Sequence, residues 1–244
     1  MHWEVLIDPV GQSGPTNMAI DQALLEEAER TQRAFLRLYR WDPPCLSFGR
    51  NEPALTRYDR AEIERRGISV VRRPTGGRAV WHDRELTYAV AAPVAAFGTL
   101  ADAYRITHER IAAALRTLGV AASVAPAVRP AAIGAGACFA SAVGGEVVVG
   151  TKKVVGSAQV RTGEAFLQHG SVLLDGSQEI VRSVTRGAAP EGSETSLSAL
   201  TNRLISFPEV ANAILSSWAP APAPTVARSV PAGRFADADW TWRR

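Results

Sequence analysis

The stretch "EVVVGTKKVVGSAQVRTGEAFLQHGSVLLD", residues 146–175, sets the fold class. Its valine-rich apolar runs are broken by Gly150, Gly156, Gly163 and Gly170, the mark of two or three adjoining β-segments. Strands that follow one another without an intervening helix argue against strict β–α alternation. The same stretch holds Lys152 and Lys153. They are the only lysines in the chain; the other 25 of its 27 basic residues are arginine.

Upstream, "HWEVLID" (2–8), "RAFLRLYRW" (33–41) and "CLSFGR" (45–50) read as strands, with a turn at "DPP" (42–44). "GPTNMAIDQALLEEAER" (14–30) reads as a helix capped by Thr16 or Asn17. "RYDRAEIERRG" (57–67) is a short polar helix stopped by Gly67. Residues 68–93, "ISVVRRPTGGRAVWHDRELTYAVAAP", suggest two strands joined by a glycine loop. "DAYRITHERIAAALRTLGV" (102–120) is amphipathic, with Ile111, Leu115 and Leu118 on one side. "AIGAGACFASAVGG" (132–145) is a small-residue loop. "FPEVANAILSSWA" (207–219) is helical, and the Pro/Ala-rich tail from about residue 219 is expected to be extended or mobile. The pattern is α+β: a mixed or antiparallel sheet packed with helices in one catalytic-size domain spanning 1–244.

A chain of 244 residues, 46% hydrophobic and 21% charged, can bury one good-sized core. It has no apolar run of membrane-spanning length, and "MHWEVLIDPVG" lacks the features of a signal peptide. A cytoplasmic protein is expected, with no membrane partner. The net charge is +3, but the arginines are scattered and no basic run exceeds two residues, so no nucleic-acid partner is expected. An acidic protein partner suits such a surface. No metal-ligand spacing is found.

Chemistry concentrates in three places. In "RRPTGGRAVWHD" (72–83), Gly76 and Gly77 permit close backbone approach or a turn, and Arg72, Arg73 and Arg78 suit an anionic group. The ordinary alternative is a hairpin with solvated arginines. Cys138, among small residues, suits an accessible thiol, whereas Cys45 in its apolar strand reads as core. The lysine pair is the third. An ammonium is a compact, rotatable point charge, unlike the planar guanidinium. Strand alternation lets only one of the two face a pocket. Chance survival in a surface turn is the plain alternative. His82 and His169, taken alone, read as structural hydrogen-bonders.

Taken in order, "RRPTGGRAVWHDRELTYAV", "ACF", "KKVVGSAQVR" and "LQHGSVLLD" resemble the lipoate–protein ligase/octanoyltransferase superfamily. The resemblance runs from "NMAIDQALLE" and "PPCLSFGRNEP" to "TSLSAL" (195–200). It implies a biotin/lipoate–protein ligase-like fold. It also implies a glycine-rich loop along an acyl pocket and a "K-x-x-G-S-A" lysine on the acyl carbonyl, here Lys153, with Lys152 its outward neighbour. Arg78 in place of a third glycine, together with Cys138 and a glutamate eight residues later (Glu146), resembles the cysteine-dependent octanoyltransferases. "ASAVGG" between Cys138 and Glu146 departs from the proline, serine and aromatic residue common there.

The implied reaction carries octanoyl from acyl carrier protein to a lysine of lipoyl domains (glycine cleavage H protein or 2-oxoacid dehydrogenases) through a Cys138 acyl-enzyme. It needs no cofactor. The implied catalytic residues are Cys138 and Lys153. Substrate contacts fall on Arg73, Thr75, Gly76, Gly77, Arg78, His82, Gly156, Ser157, Ala158, His169 and Gly170. The rival readings are an ATP- and Mg-dependent lipoate ligase, a lipoyl amidotransferase, and a non-catalytic lipoyl-domain-binding protein.

Overall fold

A computed structural model describes residues 3–126, 145–187, 192–218 and 222–243. In chain order the elements are β1 (Trp3–Gln12), α1 (Gly14–Thr31), β2 (Ala34–Trp41), β3 (Cys45–Phe48), α2 (Ala54–Arg57), α3 (Arg60–Arg65) and β4 (Ser69–Arg72). Then come β5 (Val80–His82), β6 (Glu85–Pro93), α4 (Leu100–Thr117), β7 (Ser123–Val124), β8 (Val147–Val149), β9 (Lys152–Thr162) and β10 (Ala165–Leu173). The chain ends with α5 (Glu179–Ser183), α6 (Leu197–Thr201), α7 (Phe207–Ser217) and α8 (Ala238–Thr241).

Seven strands form the main sheet in the order β1-β2-β6-β10-β9-β8-β7. Among the described strands of this sheet only the β1–β2 pair is parallel. The deciding stretch thus supplies three strands, β8 to β10, and the sheet is mixed. A second sheet, β4-β3-β5, pairs β3 parallel to β4 and antiparallel to β5. Residues 68–93 therefore hold three strands in two sheets, and the strands flanking the glycine loop are not neighbours. β3 lies between them, a pairing that local sequence does not encode.

Alternation along the central strands sorts the core into two faces. Leu36, Leu38, Tyr88, Val90 and Phe166 pack with Ile111, Leu115, Val210 and Ile214 of α4 and α7. Phe35, Tyr39, Ala89, Ala91 and Leu167 face the other way, against Met18, Leu25 and Ala28 of α1.

Helix α1 begins earlier than its sequence suggests. Ser13 is the N-cap, accepting the Thr16 N–H, and Pro15 fits the first turn. Asn17 is instead fully buried, and its amide donates to the carbonyls of Gln12 and Arg40. Cys45 is a buried free thiol, as its apolar strand implied. Gly67 takes a left-handed φ of 63° past the end of α3.

The C-terminal segment packs despite its composition. Thr225 pairs along the edge of β1, donating its N–H to Val5 O and accepting from Ile7 N–H. Phe235 and Trp242 are buried. Arg72 donates to the carbonyls of Trp240 and Thr241 and to those of Gly49 and Glu52. Arg72 is thus a clamp on the chain terminus and is unavailable to an anionic ligand.

Candidate active site

A slot opens between α1, the small sheet and the main sheet. Its empty volume is about 330 Å3, open solvent at the mouth included. Apolar surface from Met18, Tyr39, Trp41 and Val80 meets Arg73, His82, Gly156–Ala158 and His169–Ser171. Seven of the predicted substrate contacts therefore converge on one wall system: Arg73, His82, Gly156, Ser157, Ala158, His169 and Gly170. Thr75, Gly76, Gly77 and Arg78 form the adjoining loop and are not part of that lining.

Arg73 ties this loop. It is buried and donates to the carbonyls of Gly76 (2.8 Å) and Arg78 (2.6 Å), and to the carbonyl and hydroxyl of Ser47. Its charge organises the loop backbone, so Arg73 is not an open anion site as its sequence position suggested. Gly77 has a φ of 87°, and a Cβ on Gly49 would lie 1.9 Å from the Gly77 carbonyl oxygen. Two glycines are needed for these backbones to touch.

Both histidines close carboxylate–imidazole–hydroxyl chains. His169 Nδ1–H donates to Asp21 (2.8 Å) and its Nε2 accepts from the Thr75 hydroxyl (2.6 Å). Burial pushes the His169 pKa down against the opposing pull of Asp21, so the ring is neutral and holds the loop to α1. His82 Nδ1 lies 2.9 Å from Glu85 and Nε2 lies 2.7 Å from the Ser47 hydroxyl, while the ring stacks on Trp41 at 3.9 Å. His169 is thus held by α1 and the glycine loop, and His82 by β2, β3 and β6.

Asp21 belongs to a larger buried cluster. It also accepts from Arg37 (2.9 Å) and Tyr39 (2.8 Å), and Arg37 reaches Asp8 (2.8 Å) and Asn17. Burial pushes the Asp21 pKa up, but the hydrogen bonds from His169 and Tyr39 and the charge of Arg37 outweigh it and hold the pKa below its usual value.

Lys153 is fully buried, and its Nζ lies 2.5 Å from Glu146 Oε1. Lys152 is exposed. Their opposite directions follow strand alternation. A β-bulge adds more: Val148 pairs with Lys153 but Val147 pairs with Val155, so β9 carries one extra residue here. The slip turns Lys153 out of phase with Val155 and Ser157. The segment carrying Glu194 replaces β10 beside Lys153, with Lys153 N–H on Ser193 O and Thr195 N–H on Lys153 O. Lys153 does not line the slot itself; it sits in the wall strand three residues before Gly156. Cys138 lies outside the described residues, as does most of its small-residue loop.

Sequence reasoning missed Asp21, Ser47, Glu85 and His108 as parts of the site. The signal for three of them was present. Asp21 is a carboxylate among Met18, Ile20 and Leu25 on a buried helix face, and Glu85 heads a fully buried strand. His108 lies three and seven residues before Ile111 and Leu115, on the apolar side of α4. Among the described residues no group of three or more His, Cys, Asp or Glu side chains is placed to hold a metal. No helix among them is long and apolar enough to cross a membrane.

The fold has close relatives. A crystal structure of lipoate-protein ligase A bound with ATP matches with a TM-score of 0.79 at 20% identity, covering 99% of each chain. A putative lipoate protein ligase from T. acidophilum with bound lipoic acid matches with a TM-score of 0.78 at 20% identity, covering 99% of this chain and all of that one. The fold is that of the lipoate–protein ligases. Residues 13–219 match the lipoyl protein ligase A/B catalytic domain. Octanoyltransferase LipM of Kyrpidia tusciae is 42% identical over 193 residues, 75% of this chain and 70% of that protein. Octanoyltransferase LipM of Brevibacillus brevis is 32% identical over 224 residues, 88% and 81% respectively. The chain belongs to the lipoyl protein ligase A/B catalytic domain family.

Proposed function

We propose that this protein is an octanoyltransferase of lipoate biosynthesis that moves octanoyl from acyl carrier protein to a lysine of a lipoyl domain. The observation that carries this reading is the 42% identity to an octanoyltransferase over three quarters of the chain. Lys153, buried against Glu146 and carried by the strand that supplies Gly156–Ala158 to the wall of an apolar-lined slot, supports it.

In the first step the Cys138 thiolate attacks the octanoyl thioester carbon, and the carbon–sulfur bond to the carrier breaks. The carrier leaves as a thiol after taking up a proton, and octanoyl remains on Cys138 as a new thioester. In the second step the lipoyl lysine amine attacks that carbon, the amide bond forms and the Cys138 sulfur departs. The amine proton returns to solvent or to the thiolate. A thioester donor is already activated, so no ATP enters. Lys153 is suited to donate to the carbonyl oxygen as negative charge develops on it. Burial of the acyl chain contributes about 0.8 kcal/mol per methylene. The net charge of +3 suits acidic carrier and lipoyl domains.

Intact-protein mass spectrometry after mixing with octanoyl–acyl carrier protein, without ATP, tests the reading. A gain of one octanoyl group, absent in Cys138→Ala, is the expected result. An absent adduct, with transfer restored only by octanoate and ATP, would overturn it in favour of a ligase.

A further inference from the structure

His108, in the middle of α4, takes no part in the reaction as proposed above, yet it touches both halves of the site. The side chain is fully buried. Its Nδ1 lies 2.6 Å from the carbonyl oxygen of Gly145, an atom that can only accept, so Nδ1 carries the proton. Burial, together with the charge of Lys153, pushes the His108 pKa down to about 3, against the pull of the Gly145 carbonyl. The ring is neutral, and Nε2 is an acceptor.

Two hydroxyls converge on Nε2: Ser157 Oγ at 2.8 Å and Tyr88 Oη at 3.1 Å. They are 2.7 Å from each other, and the Gln168 amide donates to Tyr88 Oη at 3.1 Å. One assignment puts a proton in each of the shorter contacts. Gln168 donates to Tyr88, Tyr88 to Ser157, Ser157 to His108, and His108 to Gly145. The donors all run one way, through β10, β6, β9 and α4 to the residue preceding Glu146. Gly170 makes this possible, since a Cβ there would lie 2.2 Å from Ser157 Oγ and 2.8 Å from the Tyr88 ring.

The Gly145 carbonyl belongs to the peptide bond that leads into Glu146, the carboxylate on Lys153. The Glu146 carbonyl is held in turn by the Ala125 N–H at 2.8 Å, and Gly145 N–H donates to Ala125 O at 2.9 Å. His108 thus adds a side-chain hydrogen bond to a backbone that is also pinned by main chain. Ser157 sits between Gly156 and Ala158 in the slot wall, and its hydroxyl is anchored on the α4 face.

We propose that His108 is a positioning residue for acyl transfer: its Nδ1–H fixes the peptide that aims Glu146 at Lys153, and its Nε2 holds Ser157 and with it the wall of the slot. The proposal rests on the octanoyltransferase reading. It assigns the two ring nitrogens to separate tasks, which single substitutions can divide. In His108→Asn the amide nitrogen lies near the Nδ1 position, keeping the donor to Gly145 and losing the acceptor for Ser157. In His108→Gln the longer side chain brings its oxygen near the Nε2 position, keeping the acceptor and losing the Gly145 bond. His108→Ala loses both.

The experiment measures kcat and KM for octanoyl–acyl carrier protein, with Tm as the control for folding, in the wild type and all three variants. Misplacement of a reacting group by about 1 Å costs roughly a hundredfold in rate. His108→Ala is therefore expected to lose about that much in kcat/KM. His108→Asn should keep kcat within about threefold of wild type while raising KM, and His108→Gln should do the reverse, each by the same reasoning. Three variants that lose rate only in proportion to their fall in Tm would overturn the proposal, as would three that match wild type. A wild type that forms no acyl-enzyme marks failure of the octanoyltransferase reading itself.

Discussion

Lys152 and Lys153 differ by one position and by everything that matters chemically. Lys152 is exposed; Lys153 is wholly buried, with its ammonium against Glu146. A guanidinium in the same place would have to fit a planar fork into space shaped for a point charge, with its donors misdirected. Lys153→Arg should therefore lower octanoyl transfer nearly as far as Lys153→Ala, by about 10² to 10³ in kcat, the scale for loss of one oxyanion donor. Lys152→Ala should stay within about twofold, on the expectation for an exposed side chain away from the chemistry. Single-turnover transfer assays on the three variants check this; an active Lys153→Arg would show that charge alone suffices. At this scale the sequence was informative. Two lysines among 25 arginines drew attention to the strand, and alternation chose between them. The β-bulge at Val154 was not legible, because an extra residue in one strand shows only against its partner β8. Nor was the loop in "RRPTGG" read in full. Arg72 and Arg73 look like ligands in a list of charges, but burial turns both onto backbone carbonyls.

At the scale of elements, helix α1 is docked by a buried polar cluster as well as by its apolar face. Arg37 on β2 has no solvent exposure and is held by Asp8 of β1, by Asp21 and Asn17 of α1, and by the ring of Tyr39 at 3.9 Å. Periodicity placed α1, α4 and α7 and most strands, since 3.6- and 2-residue repeats are local properties. It could not place Arg37 opposite Asp21, 16 positions away in sequence and on another element. Removing one partner from a buried ion cluster leaves the others without compensation, at a cost of about 3–5 kcal/mol. Arg37→Met, which keeps most of the side chain's bulk, is expected to lose that much stability in urea unfolding with an unchanged m-value. The same cluster ends at His169 and Thr75, so its loss should also loosen the glycine loop. A variant as stable as wild type would mean that Asp8 and Asp21 are already solvated.

The whole molecule adds two features that no single element shows. One is closure by the C-terminal segment. Its Pro/Ala composition reads as an extended tail, but "RFADADWTWRR" (234–244) carries three aromatic residues that can be buried, and Phe235 and Trp242 are. Counting aromatics there would have corrected the reading that Pro and Ala suggested. The other is the burial of neutral imidazoles within one core. His108, near the charge of Lys153 and in contact with Tyr88, Ser157 and the edge-on ring of Tyr104, has its pKa pushed by burial from the usual 6.5 to about 3. His169, facing Asp21, Arg73 and His82, is also pushed down by burial. For both, the unfolded chain takes up a proton more readily than the folded one. Their contribution to stability is therefore complete above about pH 6.5 and is lost progressively as the pH falls from there, for His108 down to about 3. Carboxylates with lowered pKa values, Asp21 among them, add their own loss only below about pH 4. Acid destabilisation should accordingly begin near pH 6.5. The urea midpoint should decline between pH 6.5 and 5 in the wild type and more shallowly in His108→Asn, which cannot be protonated at that position. A wild-type midpoint that stays level across that interval would show that the two rings are not neutral and buried in the folded protein.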